Sequence, residues 1–276
     1  MLILKHIDYG FYNVLKTNIK MNEKKLIIDC GAHMGQDSSY YLTSGYKVLA
    51  IDASPSLSER MKTVFASAIE RKDFSIINVA ISKEAGEISF FESTESVWNS
   101  AKLEIANRHN CLQTKITVDS LRLSDIVITN GEVPYYIKID LEGNDYDAIM
   151  SLKDVDQSLM PQYISCETEC IGEHEVISED EALKTLEALK EVGYTKFKLV
   201  DQASMCPVNM QNFGSLARPA HLSNFVFGST GPFGEDIIAE WIDYEEAKKL
   251  LTTFRKWFFS FPRLNYQFWC DWHATK

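Results

Sequence analysis

Short runs of uninterrupted apolar residues punctuate the first two thirds of the chain. Leu26 to Cys30, Lys47 to Asp52, Phe74 to Ala80, Tyr135 to Asp140 and Tyr163 to Glu167 are rich in Ile, Val and Tyr, too short for helices, and followed by turn or capping residues. Continuous rather than alternating apolar character suits strands covered on both faces, so these five segments predict a parallel sheet with crossover helices. Asp37 to Ser44 and Ser56 to Ile69 have helical character, the second with Ser54 as N-cap and Pro55 at the first helical position. Ser178 to Val192 opens with an acidic turn, carries Leu183, Leu186 and Leu189 on one stripe, and stops at Gly193.

Elsewhere the rhythm changes. Gly86 to Ser93 and Lys115 to Leu121 predict extra strands around a polar excursion with Trp98 and Asn99, an insertion near 86–121 at the sheet edge or over the site. Thr195 to Asp201 and Asn224 to Gly228 predict an antiparallel hairpin, since the intervening Gln202 to Ser223 has no helical pattern. A helix over Tyr244 to Phe258 presents Ala247, Leu250, Leu251, Phe254 and Phe258 on one face. Without an internal repeat or a Pro/Gly-rich linker, one domain over 1–276 is expected, with a helical and aromatic extension at 236–276. The aromatic tail, Trp257 to Trp272, reads as core or homo-oligomer packing, with a sugar-stacking platform as the lesser alternative.

Composition narrows the function classes. The chain has 276 residues, 45% hydrophobic and 24% charged, the profile of a globular protein. Lys and Arg total 28 against 39 Asp and Glu, a net charge of -11, which disfavours nucleic acid and anionic membrane surfaces. No apolar run reaches membrane-spanning length, and the first residues lack the pattern of a signal peptide. A cytoplasmic location with reduced thiols is therefore expected for the six cysteines.

The most informative segment is Asp29 to Asp37, between the first strand and a helix. Gly31 and Gly35 let the backbone turn sharply and lie close to a ligand. The second strand ends in Asp52, about twenty residues later, where a carboxylate accepts hydrogen bonds from the ribose of an adenosine cofactor. A pyrophosphate loop favours G-x-G-x-x-G; here His33 replaces the middle glycine, and Asp29 and Asp37 add negative charge. Carboxylates repel a pyrophosphate but suit the ammonium of S-adenosylmethionine (SAM), directly or through water. SAM is favoured over NAD, leaving a nicotinamide-dependent oxidoreductase and a non-catalytic binding module as alternatives.

With this loop in place, the sequence resembles the FkbM-type SAM-dependent methyltransferases. The matching segments are IDCGAHMGQDSSYYLTSGYKVLAIDASP, INVAISKEAGEISFFES, TVDSL, YIKIDLEGNDYDAI, YISCETE, STGPFGEDI and CDWHA. The resemblance implies a three-layer αβα class I methyltransferase fold of Rossmann-like type: a seven-stranded sheet with the last strand antiparallel. It also implies methyl transfer to a hydroxyl, commonly on a sugar or a polyketide-like secondary metabolite, and the expected acceptor is a carbohydrate, glycan or similar polyhydroxylated metabolite. By the same resemblance Gly31, Ala32, His33 and Gly35 line the methionine side of SAM, Asp52 and Ala53 meet the ribose and adenine, Val79 and Ala80 lie near the adenine, and Asp140 sits beside the reacting methyl. His33 departs from the small or amide residue expected there.

Methyl transfer from a sulfonium needs an aligned acceptor and a group to take the hydroxyl proton. Asp140 and Glu142 after the fourth strand, and Glu167 and Glu169 at the tip of the fifth, are the expected carboxylates, because ligands bind beyond the carboxyl ends of parallel strands. His174 follows them as a further catalytic candidate. Cation chelation by these carboxylates is a lesser expectation, and no metal site is assigned. The loop Gln202 to Ser223, with Asn209, Asn212, Arg218 and His221, and the segment Ser229 to Glu235 are expected to shape the acceptor pocket.

Overall fold

The computed structural model describes residues 23–168, 178–202, 205–207, 225, 229–260 and 268–276. The apolar runs form β1 (Leu26–Cys30), β2 (Lys47–Ile51), β3 (Phe74–Ile77), β7 (Tyr136–Ile139) and β8 (Tyr163–Glu167), all parallel. With β9 (Lys196–Asp201), β10 (Cys206–Pro207) and β11 (Cys270–Thr275) the sheet order is β10-β9-β11-β8-β7-β1-β2-β3. Apart from the two-residue β10, this is the seven-stranded class I methyltransferase arrangement, with β11 antiparallel to both neighbours.

One face of the sheet is apolar across its central strands. Ile28, Cys30, Leu49, Ile137, Ile164, Leu199 and Trp272 pack under α5 (Leu123–Asn130), α6 (Asp145–Ser151), α7 (Glu179–Glu191) and α8 (Tyr244–Phe259). α7 and α8 begin with capping boxes, Ser178 with Glu181 and Asp243 with Glu246, which satisfy the first-turn N–H groups. The other face lies under α1 (Gln36–Thr43), α2 (Pro55–Val64) and α3 (Ala66–Glu70), through Tyr41, Met61, Phe65 and Ala68. Phe233 joins this layer, stacked on Tyr136 with centroids 4.0 Å apart.

That second face carries a polar row. Asp29, Lys138, Ser165, His273 and Lys198 are successive register partners on β1, β7, β8, β11 and β9, and all are buried. Two residues along each strand, on the same face by alternation, stand Asp140, Glu167 and Asp271.

Several sequence expectations need correction. The antiparallel strand is β11, formed by a segment expected to lie in the C-terminal extension; Asn224 to Gly228 lies outside the described residues apart from Phe225. The single helix expected over Ser56 to Ile69 is two, broken at Phe65, whose φ and ψ of -99° and 18° leave the helical region. Ser54 does not cap α2 with its side chain; Ser54 Oγ instead donates to Glu92 at 2.7 Å. Phe74 to Ala80 divides between β3 and β4 (Ala80–Ile81). The insertion pairs β5 (Gly86–Ser93) with β6 (Leu112–Leu121), with α4 (Leu103–Ala106) between them, and β4 completes a second, three-stranded sheet instead of extending the edge of the first. No described helix is long and apolar enough to cross a membrane.

Candidate active site

The loop leaving β1 is shaped by backbone crowding. Gly31 and Gly35 are left-handed, with φ of 74° and 80°. A Cβ on Gly31 would lie 1.8 Å from the Asp140 carbonyl oxygen, and one on Gly35 would lie 2.4 Å from the Phe65 ring. Glycine is therefore required here by contacts within the chain, whatever a ligand requires in addition.

Asp52 follows β2 and accepts two backbone N–H groups, from His33 at 2.7 Å and Ser54 at 2.9 Å. Burial outweighs these bonds and lifts its carboxyl to about 7. Asn78 Nδ2 donates to the carbonyls of Asp52 and Ala53, bringing the residues after β2 beside Val79 and Ala80. Ala53 and Ala80 pack in one small apolar cluster with Phe90 and Val118 of the inserted sheet. The expected cofactor-binding segments thus converge in space.

Behind the loop lies a buried charge cluster. Lys138 Nζ is 3.3 Å from Asp29, 3.3 Å from Asp140 and 3.9 Å from Asp37, and donates to the Gly31 carbonyl at 3.0 Å. Burial alone would lower the lysine, but Asp29, Asp140 and Asp37 together raise it well above its ordinary value. Asp29 also accepts from Ser38 Oγ at 2.6 Å through Oδ2, while its Oδ1 faces the Lys138 ammonium. Asp37 accepts the backbone N–H groups of Thr230 and Gly231 at 3.1 and 3.2 Å, and burial holds its carboxyl at about 6. Ser229 to Glu235, expected to shape the acceptor pocket, instead docks here through these bonds and Phe233.

After β7 the chain turns through Glu142 (φ 47°) and Gly143 (φ 100°). The insertion closes on this turn. Ser100 Oγ donates to the Glu142 carbonyl at 2.8 Å, Arg108 is 3.5 Å from the Glu142 carboxylate, and a Cβ on Gly143 would meet Ile105 at 2.6 Å. Burial and Asp140 push the Glu142 carboxyl up to about 8 against the pull of Arg108. Glu167 accepts from Trp269 Nε1 at 2.6 Å, and burial with Asp140 and Glu142 holds it well above the usual carboxylate range.

The structure brings together Asp29, Gly31, Ala32, His33, Gly35, Asp37, Asp52, Ala53, Val79, Ala80, Asp140, Glu142 and Glu167. Glu169, His174, Asn209, Asn212, Arg218 and His221 lie outside the described residues. Sequence reasoning missed Lys138, Ser96, Arg108 and Asp271; a lone lysine inside the apolar run YYIKID was the available signal for the first. Among the described residues no group of three His, Cys, Asp or Glu could hold a metal ion. A cleft of about 700 Å³ lies elsewhere, at the amino edge of the sheet beside Leu26, Tyr135, Gln162 and Lys276, and includes none of the expected site residues.

Two buried carboxylates, Asp29 and Asp37, and the partly exposed Asp140 surround one ammonium, an excess of negative charge that fits a ligand of net positive charge such as SAM. Comparison with known proteins agrees in kind. The model of the methyltransferase FkbM domain matches residues 29–195, more than half of the chain. No curated protein matches. Among solved structures, the chain is similar to a TehB-like SAM-dependent methyltransferase from Corynebacterium glutamicum, at 13% identity over 70% of this chain and 83% of that one, with a TM-score of 0.35. It is similar to a precorrin-6y C5,15-methyltransferase from Geobacter metallireducens, at 12% identity over 71% and 76%, TM-score 0.35. Another is StiE O-MT, at 10% identity over 97% and 73%, TM-score 0.40.

Proposed function

The chain belongs to the FkbM methyltransferase family, a family of SAM-dependent enzymes, and on that premise we propose that it is an O-methyltransferase whose acceptor is a hydroxyl of a carbohydrate or similar polyhydroxylated metabolite. The observation that carries this reading is the set of carboxylates at the ends of β7 and β8, where Glu142 is raised by burial and Asp140, and Glu167 by burial, Asp140 and Glu142. Bound SAM supplies an activated methyl on a sulfonium, with a neutral thioether as leaving group.

The remaining work falls to the chain. Gly31, Ala32, His33 and Gly35 offer backbone to the methionine end, Asp52 and Ala53 meet the ribose and adenine, and Val79 with Ala80 forms the apolar wall beside the base. An alcohol is a poor nucleophile near neutral pH, so a base must take its proton as the methyl is attacked. Glu142 fits that role: a carboxyl at about 8 is a far stronger base than an ordinary glutamate, and Arg108 offsets the charge it holds when ionised. Asp140, ion-paired to Lys138, orients the acceptor, and Glu167, fixed by the Trp269 indole, accepts a second hydroxyl. Neighbouring hydroxyls, each a donor, suit a rim of carboxylate acceptors.

The test is turnover with SAM and pooled acceptors, with SAH release as readout and mass spectrometry of the methylated product. Methylation of sugar or polyol hydroxyls is expected. Transfer confined to amines, thiols or carbon centres would sink the O-methyl assignment while leaving the family intact.

A further inference from the structure

Lys138 is the one cation of the described cluster, it is almost fully buried, and the proposed chemistry engages it only as the partner of Asp140. Its four partners come from separate parts of the site. Asp29 lies near the end of β1, Gly31 makes the sharp turn after it, Asp37 is in the first turn of α1, and Asp140 follows β7. Asp37 in turn holds Thr230 and Gly231. One ammonium therefore joins the cofactor loop, the helix behind it and the strand tip that faces the acceptor.

A buried ammonium against three carboxylates is an expensive arrangement to keep for stability, since well-packed apolar side chains usually do as well. Its geometry has a different use. The Gly31 carbonyl is drawn onto Nζ, which sets the turn that Gly31 makes against the Asp140 carbonyl, 1.8 Å from where a Cβ would stand. The lysine offsets one carboxylate and leaves the others as counter-charge.

We propose that Lys138 is a positioning residue for SAM: its ammonium fixes the Gly31 turn and the Asp140 carboxylate, and sets the acidic cluster that receives the cofactor's net positive charge. This rests on the reading of the loop as the SAM site. Lys138 lowers Asp37 and Asp52 against the burial that raises them, so without the lysine both take up protons more readily, and a bound cation must expel them.

The ionisable groups that sense Lys138 are Asp29 and Cys30 on β1, His33 in the loop, Asp37 on α1, Asp52 after β2, Asp140 and Glu142 after β7, and Asp271 on β11. At pH 8.5 Asp37 and Asp52, at about 6 and about 7, are ionised in the native protein. Titration calorimetry at that pH, in buffers of different ionisation enthalpy, counts protons released on binding. Native protein is expected to release nearly the same number with SAM as with SAH, the uncharged thioether. Lys138→Met is expected to bind SAM at least about tenfold more weakly and to release about half a proton or more in excess for SAM over SAH. Lys138→Arg is expected to restore the native proton count. A Lys138→Met protein that weakens both ligands equally, with no excess proton for SAM, would overturn the proposal in favour of a purely structural lysine. If that variant does not fold, the double variant Lys138→Met with Asp29→Asn removes a carboxylate along with its counter-ion, and the same excess decides. Native protein that binds neither SAM nor SAH would overturn the reading of the site, and the role of Lys138 with it.

Discussion

His33 Nε2 lies 2.8 Å from Ser96 Oγ, and this contact ties the cofactor loop to the insertion above it. The neighbouring bonds set its polarity. Met34 N donates to Gln36 Oε1, so the Gln36 NH2 group faces His33 Nδ1 at 3.0 Å and donates to it. The ring is then neutral, protonated on Nε2, and donates to the serine, an assignment that follows from the network. Burial lowers the His33 pKa, so the latch holds at neutral pH and weakens only on acidification. Removing the serine hydroxyl should cost about 1 kcal/mol locally. Ser96→Ala is accordingly expected to speed amide hydrogen exchange across residues 94–111 several-fold with little change in Tm; unchanged exchange there would show that the latch does not hold the insertion.

The pH dependence of cofactor binding should report Asp52. Ribose hydroxyls donate to its ionised form, and the carboxyl stands at about 7. SAM affinity is therefore expected to tighten as pH rises through about 7, and to become weaker and flat in Asp52→Asn by about tenfold to a hundredfold. Unliganded protein should show the opposite trend. A carboxyl raised above its unfolded value stabilises the fold fully below the unfolded pKa and loses that contribution as pH climbs through about 7. Thermal melts of native protein and Asp52→Asn across this range check the sign.

Catalysis should follow Glu142. If it takes the hydroxyl proton, kcat rises as pH passes about 8, where the carboxyl ionises. Glu142→Gln is expected to lower kcat by about a hundredfold or more with SAM affinity nearly intact, and to abolish the rise. Arg108→Ala should move the rise to higher pH, because Arg108 lowers this carboxyl. A Glu142→Gln enzyme with the native pH profile would transfer the base role to another group.

Two glycines separate strain from collision. Gly45 has φ 89° but open space around its would-be Cβ, so Gly45→Ala should cost about 1 kcal/mol, the conformational penalty alone. Gly31→Ala adds a collision with the Asp140 carbonyl and should cost several kcal/mol, enough to prevent folding or abolish SAM binding. Comparable Tm values for the two variants would mean that the loop can move away from β7.

The strands buried on both faces were legible in the sequence because apolar runs such as LIIDC have few alternatives. β11 was not, because the face it shares with Lys138 and Ser165 is polar: Asp271 and His273 alternate with Cys270, Trp272 and Ala274, and CDWHAT lacks the look of a central strand. α5 escaped for another reason, its Leu-Ser-Asp-Ile-Val-Ile-Thr-Asn being rich in β-branched residues that tertiary packing overrides. The glycine turn after β1 and the acidic end of β2 at Asp52 were readable from local spacing. Long-range contacts carried no such signal. Asp37 meets Thr230 across 193 residues, and Lys138 finds Asp29 only once β1 and β7 pair.

The placement of β11 also governs how the protein is made. β8 and β9 are not neighbours, since β11 lies between them and pairs with both. During synthesis a nascent chain that has not yet released residues 270–275 must hold two unsatisfied strand edges in the middle of its sheet, open to mispairing with other chains. The Asp271 position beside Glu167 is filled at the same late moment, so the nascent protein gains a continuous sheet and a complete strand-tip row of carboxylates in one step.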